Sequence, residues 1–172
     1  TEFLGLHFFV DPRVLIPRPE TEFMAETLLQ ILSVNKSDCG DFKMLDIGTG
    51  SGCLAITLVK GLKNCRCEAV DVSSDALTVA RQNARANGVD NRIKFSCGDV
   101  RQLWSTFPAA AYDLIVSNPP YIPTSCLADL PADVRHEPLI ALDGGEDGLV
   151  FYREIICEAA GLLKPRGLLV CE

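Results

Sequence analysis

The sequence predicts an α/β domain built on a doubly wound parallel sheet. Three observations carry this. Short apolar runs that read as strands alternate with longer segments that read as helices. That order calls for parallel strands joined by right-handed crossovers. Each distinctive short motif also falls where a strand pattern stops, the edge at which such sheets bind ligands.

The elements follow in order. In "VLIPRPETEFMAETLLQIL" (residues 14–32), Pro17 and Pro19 stiffen the approach to a helix. Glu20 and Glu22 fall in its first turn, where the helix dipole favours acids. Helix initiation does not account for Arg18 between the prolines. "KMLDIG" (43–48) is a first strand, and "SGCLAITLVKGL" (51–62), apolar on most faces, is a buried helix. "RCEAVDV" (66–72) is a second strand. "SSDALTVARQNARANG" (73–88) is a helix with Ser73 or Ser74 as N-cap, Gly88 as C-cap, and Ala76, Leu77, Ala80 and Ala84 along one stripe. "RIKFSC" and "YDLIVSN" are the third and fourth strands. The long helix "GLVFYREIICEAAGLLK" is ended by Pro165 and Gly167, and "GLLVCE" is a fifth strand. Between them, residues 122–148 hold Pro123, Pro131, Pro138 and a "DGGEDG" turn without clear periodicity, the pattern of a functional cover or a disordered loop.

The totals bound the function. A chain of 172 residues is enough for one domain with a single core. A net charge of -7 argues against a whole-surface grip on nucleic acid. No run is long enough to span a membrane, and no signal peptide opens the chain. The eight cysteines, Cys39, Cys53, Cys65, Cys67, Cys97, Cys126, Cys157 and Cys171, lack zinc-finger spacing. They are expected to be buried free thiols of a reducing compartment. No metal site is expected, and His7 and His136 are assigned no catalytic role. The chain begins at Thr1 and stops within an apolar run, so a piece of a longer protein is expected.

Three motifs describe a pocket. "DIGTGSG" (46–52) joins the first strand to the first helix, and Gly48, Gly50 and Gly52 permit a sharp turn and close approach to a ligand. The spacing is neither that of a dinucleotide fingerprint nor that of a phosphate loop. Asp71 ends the second strand, where a carboxylate can accept both hydroxyls of a ribose. Asp99, in "CGDV" after the third strand, can accept from an exocyclic adenine amine, while the Val100 amide meets a ring nitrogen. Together these fit an adenosine-bearing ligand and resemble the Rossmann-like class I S-adenosylmethionine-dependent methyltransferases.

The fourth strand ends in "NPPY" (118–121), which resembles the [DNS]-P-P-[YFW] motif of methyltransferases acting on planar nitrogens. Such a nitrogen is a poor nucleophile because its lone pair is delocalised. Two acceptors on its NH₂, the Asn118 side-chain oxygen and the Pro119 carbonyl, would orient it and favour pyramidalisation. Tyr121 would pack against the planar group. Positioning and directed electrostatics supply the rate.

"VLIPRPETE", "DIGTGSG", "DLIVSNPPYIP", "EPLIALDGGEDGL" (137–149) and "YREII" (152–156) occur in the order found in the HemK (PrmC) family, and the sequence resembles that family over nearly its whole length. The resemblance implies transfer of a methyl group from S-adenosylmethionine to the glutamine amide of the Gly-Gly-Gln motif in class 1 peptide chain release factors. Carried over by position, Gly48, Thr49, Gly50, Ser51, Gly52 and Asp71 hold the cofactor, with Asp99, Val100 and Asn118 beside it. Asn118, Pro119, Pro120 and Tyr121 hold the glutamine, and Arg18 helps form the substrate side. The resemblance makes residues 1–34 a leading segment and helix, and residues 35–172 the catalytic domain. It implies that the family's N-terminal helical domain and final strands are absent from this segment. Val100 replaces an aromatic residue that covers adenine in some members. The expected partner is a release factor rather than nucleic acid or a membrane, and the expected protein is a cytoplasmic monomer, or a matrix protein if organellar. "NPPY" by itself leaves a nucleic-acid exocyclic amine open as the target. A ribosomal-protein glutamine, or a cofactor-binding scaffold without turnover, also remains open.

Overall fold

The computed structural model describes residues 1–35, 41–131 and 134–172. Cys39 lies outside the described residues. Five parallel strands form one sheet: β3 (Phe42–Ile47), β4 (Cys65–Asp71), β5 (Ile93–Cys97), β6 (Tyr112–Ser117) and β7 (Leu163–Cys171), in the order β5-β4-β3-β6-β7. Winding runs outward from β3 to β5, then reverses to β6 and β7. The reversal falls between β3 and β6, which pair from Met44 with Leu114 to Ile47 with Ser117.

Strand alternation sends neighbouring side chains to opposite faces. Met44, Cys67, Ala69, Leu114 and Val116 pack on one side with α1 (Pro19–Asn35), α2 (Cys53–Gly61) and part of α3 (Ser74–Ala86). Leu45, Ile47, Val70 and Ile115 pack on the other with the short α4 (Val100–Leu103) and with Ile155, Ala159 and Leu162 of α5 (Val150–Leu162). Both faces of the sheet are therefore covered, as the alternation required. In α2, every residue from Cys53 to Val59 is buried. Met24, Leu28 and Leu32 of α1 share the first core, and α1 runs one residue past the boundary expected after residue 34.

Ser73 caps α3 by accepting a hydrogen bond from the Ala76 amide. Its C-cap is Asn87 rather than Gly88, which follows it at a φ of +70°. The last strand starts earlier than expected. Pro165 and Gly167 do not end the helix, which stops at Leu162, but lie within β7. A register irregularity opposite Tyr112–Leu114 accommodates them, the setting in which a strand tolerates proline. The thiols also differ from expectation. Cys53, Cys65 and Cys67 are buried, but Cys97, Cys126 and Cys157 are exposed. Among the described residues there is no cluster able to hold a metal ion, and no helix is long and apolar enough to cross a membrane.

A two-stranded hairpin, β1 (Glu2–Phe3) and β2 (Leu6–His7), precedes the sheet and is too short to show a period. Two anchors hold this region. Glu22 accepts the Leu4 amide at 2.6 Å in the hairpin turn. Asn83 of α3, 1% exposed, exchanges two hydrogen bonds with the Phe9 backbone at 2.8 and 2.9 Å and donates to the Ser51 carbonyl at 2.9 Å. Asn83 thus ties the N-terminal arm to the glycine turn. Asn83→Ala strands three backbone groups, and is expected to lower the unfolding free energy in urea by about 2–4 kcal/mol.

Candidate active site

The glycine turn leaves β3 at the centre of the sheet. The Gly48 and Thr49 amides both donate to the Val70 carbonyl, at 2.8 and 3.0 Å, which folds the turn back over β4. Gly48 and Gly50 adopt φ values of +70° and +56°, and a Cβ on either would project into open space. That space belongs to a cavity of about 220 Å³ at the carboxyl ends of the strands. Ile47 to Ser51 line it from β3, Asp71 to Ser73 from β4, Asp99 to Arg101 from β5, and Ser117 to Pro120 from β6. Further walls include Leu15, Pro17 and Thr21 from the N-terminal side, Pro138, Ile140 and Ala141 from the long loop, and Phe151 and Ile155 from α5.

Asp71 is held in place by its neighbours. Its Oδ2 accepts the Gly50 amide at 2.8 Å and its Oδ1 accepts the Ser73 amide at 2.9 Å. Burial pushes its pKa up, against the pull of those amides. A carboxylate offers about four lone-pair sites, so two bonds leave acceptors for a ligand. Asp46 lies behind the turn, 1% exposed, with its Oδ2 accepting the Thr49 hydroxyl at 2.7 Å. It does not line the cavity and supports the turn from beneath.

Four expected site residues sit differently. Gly52 does not line the cavity; a Cβ there would lie 2.9 Å from Ile56 Cδ1 and 3.3 Å from Ala80 Cβ, so glycine serves the packing of α2 on α3. Asp99 does line it, but Arg101 Nε reaches both of its carboxylate oxygens at 3.0 Å and the Arg101 amide adds a bond at 2.9 Å. The guanidinium holds the Asp99 carboxyl below its ordinary pKa. Arg101 also sits over the Phe151 ring, 5.8 Å from its centre. Tyr121 is 49% exposed and does not line the cavity. Its backbone is instead pressed against the "DGGEDG" turn, where a Cβ on Gly144 would meet Tyr121 Cα and the Pro120 oxygen at 2.8 Å. Arg18 likewise stays off the cavity surface. Its Nη2 donates to both oxygens of the buried Glu137, at 2.8 and 2.7 Å.

Thr49, Ser51, Val100, Asn118, Pro119 and Pro120 line the cavity together with Gly48, Gly50 and Asp71. The Asn118 amide nitrogen donates to Thr21 Oγ1 at 3.1 Å. Thr21 was available in "PETE" but carried no sequence signal beyond helix initiation. Leu15, Pro138 and Ile140 could not be assigned without the fold. The described part of the long loop forms short 3₁₀ turns and a parallel bridge, Ile122 to Asp143, and its Pro138, Ile140 and Ala141 line the cavity.

Burial pushes the Asp46 carboxyl up to about 7, helped by the charge of Asp71 and opposed by the Thr49 hydroxyl. In the unfolded chain it ionises near 3.8. A carboxyl with a raised folded pKa penalises the native state once the unfolded chain ionises. Stability therefore falls as pH rises from about 4 to about 7 and levels off above that. In urea unfolding at pH 5 and pH 8, Asp46→Asn is expected to remove a loss on the order of 2 kcal/mol that the parent shows.

Comparison with known proteins agrees with this arrangement. The family model of the Methyltransferase small domain matches residues 19–128. The chain is 47% identical over 171 residues to "Release factor glutamine methyltransferase" of Moorella thermoacetica, covering 99% of this chain and 58% of that protein. The protein of the same name from Chlorobaculum tepidum is also 47% identical, with 99% and 58% covered. "Ribosomal protein uL3 glutamine methyltransferase" of Bordetella pertussis is 42% identical, with 98% and 55% covered. The chain thus spans somewhat over half the length of these relatives. Among solved structures, the hMettl16 catalytic domain in complex with the MAT2A 3'UTR hairpin 6 superposes with a TM-score of 0.67 at 20% identity, covering 97% of this chain and 61% of that one. At that identity the likeness speaks to fold alone. The match over residues 19–128 takes in the glycine turn, Asp71 and "NPPY", and on it the chain belongs to the methyltransferase small domain family.

Proposed function

We propose that this chain is the catalytic part of an S-adenosylmethionine-dependent methyltransferase that modifies the glutamine amide nitrogen in the Gly-Gly-Gln motif of class 1 release factors. The observation that carries this reading is the shared cavity. An open glycine turn and Asp71 border it on one side, and Asn118 with Pro119 border it on the other. The release factor relatives, at 47% identity, favour glutamine over a nucleic-acid amine. So does the net charge of -7. A cytoplasmic monomer acting on a protein partner completes the reading.

The donor supplies a methyl group on a positively charged sulfur. Gly48 and Gly50 leave room for it against the main chain. Asp71 accepts the ribose hydroxyls with lone pairs left over from the Gly50 and Ser73 amides. Val100 opens α4 and offers the adenine its amide, and Asp99 is steadied beside it by Arg101. Asn118 Oδ1 and the Pro119 carbonyl accept from the two N–H groups of the glutamine amide. Holding both N–H bonds turns the nitrogen lone pair toward the methyl group. When bound, the donor would supply the methyl group that the glutamine nitrogen takes from sulfur, and the amide's extra proton would leave to water, so no strong base is needed. Tyr121, at the rim, guides the approaching loop instead of stacking on the amide.

A second reading, methylation of a glutamine in ribosomal protein uL3, is favoured by the 42% identical relative and uses the same chemistry. The full-length protein is expected to transfer labelled methyl to a release factor, and not to one whose Gly-Gly-Gln glutamine is alanine. Transfer to uL3 alone would select the second reading, and transfer only to DNA or RNA would overturn both. Asn118→Ala should reduce kcat by about 10²–10³-fold while leaving cofactor binding intact. Asp71→Ala should weaken cofactor binding by about tenfold or more in calorimetry.

A further inference from the structure

We infer that Thr21 is a positioning residue that holds the Asn118 amide in place for the reacting nitrogen. The inference rests on the methyltransferase reading above. An asparagine amide has an acceptor end and a donor end of nearly the same size and shape. Packing therefore holds such an amide weakly in either orientation, and a hydrogen-bond partner is needed to steady it. Only the oxygen end can accept from an incoming NH₂; the opposite orientation would set donors against donors.

Thr21 is placed to hold the Asn118 amide by its nitrogen end. It lies in the first turn of α1, is 2% exposed, and lines the same cavity as Asn118. Its Oγ1 accepts from Asn118 Nδ2 at 3.1 Å across 97 residues of sequence. With Nδ2 committed to Thr21, Oδ1 is the end left for a substrate. The turn that carries Thr21 is itself fixed. Pro17 and Pro19 stiffen its approach. Arg18 clamps it to Glu137 and Glu22 binds the Leu4 amide, so Thr21 is held against the amide from two sides. Thr21 acts on the reaction through Asn118.

Two substitutions in the full-length protein separate this role from that of a cavity wall. Thr21→Val keeps the branching and volume but removes the oxygen. Thr21→Ser keeps the oxygen and loses a methyl group. Thr21→Val is expected to lower kcat about tenfold or more, with KM for the release factor and affinity for S-adenosylhomocysteine within about twofold of the parent. Thr21→Ser should stay within about threefold of the parent kcat. Should valine unfold the protein, Thr21→Cys, similar in size and a poor acceptor, should show the same loss of kcat. Full turnover by the valine or cysteine variant would overturn the inference. So would a loss of S-adenosylhomocysteine affinity equal to the loss of kcat, or a serine variant as slow as valine. If the parent protein itself transfers no methyl to a release factor, it is the release factor reading that fails.

Discussion

The buried hydrogen bond from the Ser117 hydroxyl to the Ile47 carbonyl, 2.7 Å long, joins the last residues of the two strands between which the sheet reverses its winding. Parallel neighbours lie about 4.8 Å apart, so loops leaving them on the same edge must diverge or collide. Here they diverge. The chain after Ile47 turns back over Val70 and enters α2, whereas the chain after Ser117 is steered away by two prolines. The space between the two departures is the cavity. Asp71 enters from the next strand and holds the glycine turn by its Gly50 amide, so one carboxylate both shapes the turn and faces the cavity. Loosening the Ser117–Ile47 contact would move both halves of the site relative to each other.

Much of this was legible because it is local. The strands and α2 announce themselves by apolar runs, and the turn by glycines whose positive φ angles follow from the direction change. Ser73 declares itself as an N-cap, and the acids of α1 lie where a helix dipole favours them. The local rules misled where another part of the fold overrode them. Pro165 and Gly167 look like helix stops, but a register irregularity takes them into an edge strand. Cys97 and Cys157 sit in apolar runs yet face outward, because β5 is an edge strand and α5 buries only one stripe.

The expected site residues that lie off the cavity lining share a different cause. Gly52 stands in an unbroken G-x-G-x-G, and nothing local separates a glycine that faces a ligand from one on which a neighbouring helix packs. Tyr121 follows two prolines that fix their own φ angles, and its backbone packs where only a glycine fits at position 144, more than twenty residues away. Arg18 is paired with a glutamate 119 residues distant. Its charge and its place in a distinctive motif suggested contact with substrate, while the pairing that consumes the charge is visible only after folding.

The Arg18–Glu137 pair joins the first turn of α1 to the long loop beside the cavity. A buried carboxylate is costly unless it is paired, and removing one partner costs more than replacing both. Such a pair adds little net stability, but it strongly disfavours other placements of the two segments it joins. Here both segments, residues 15–21 and 138–141, contribute to the walls of the cavity. The clamp fixes the first turn of α1 against the long loop, and that turn carries Thr21 against Asn118. "NPPY" alone presents acceptors to any planar amine. What "IPRPETE" adds is a rigid wall at a set distance from those acceptors. On the glutamine reading, the clamp narrows the approach to the acceptors toward a slim side-chain amide carried on a loop. The specificity carried by "IPRPETE" then resides in the spacing it enforces, with its arginine committed to the wall.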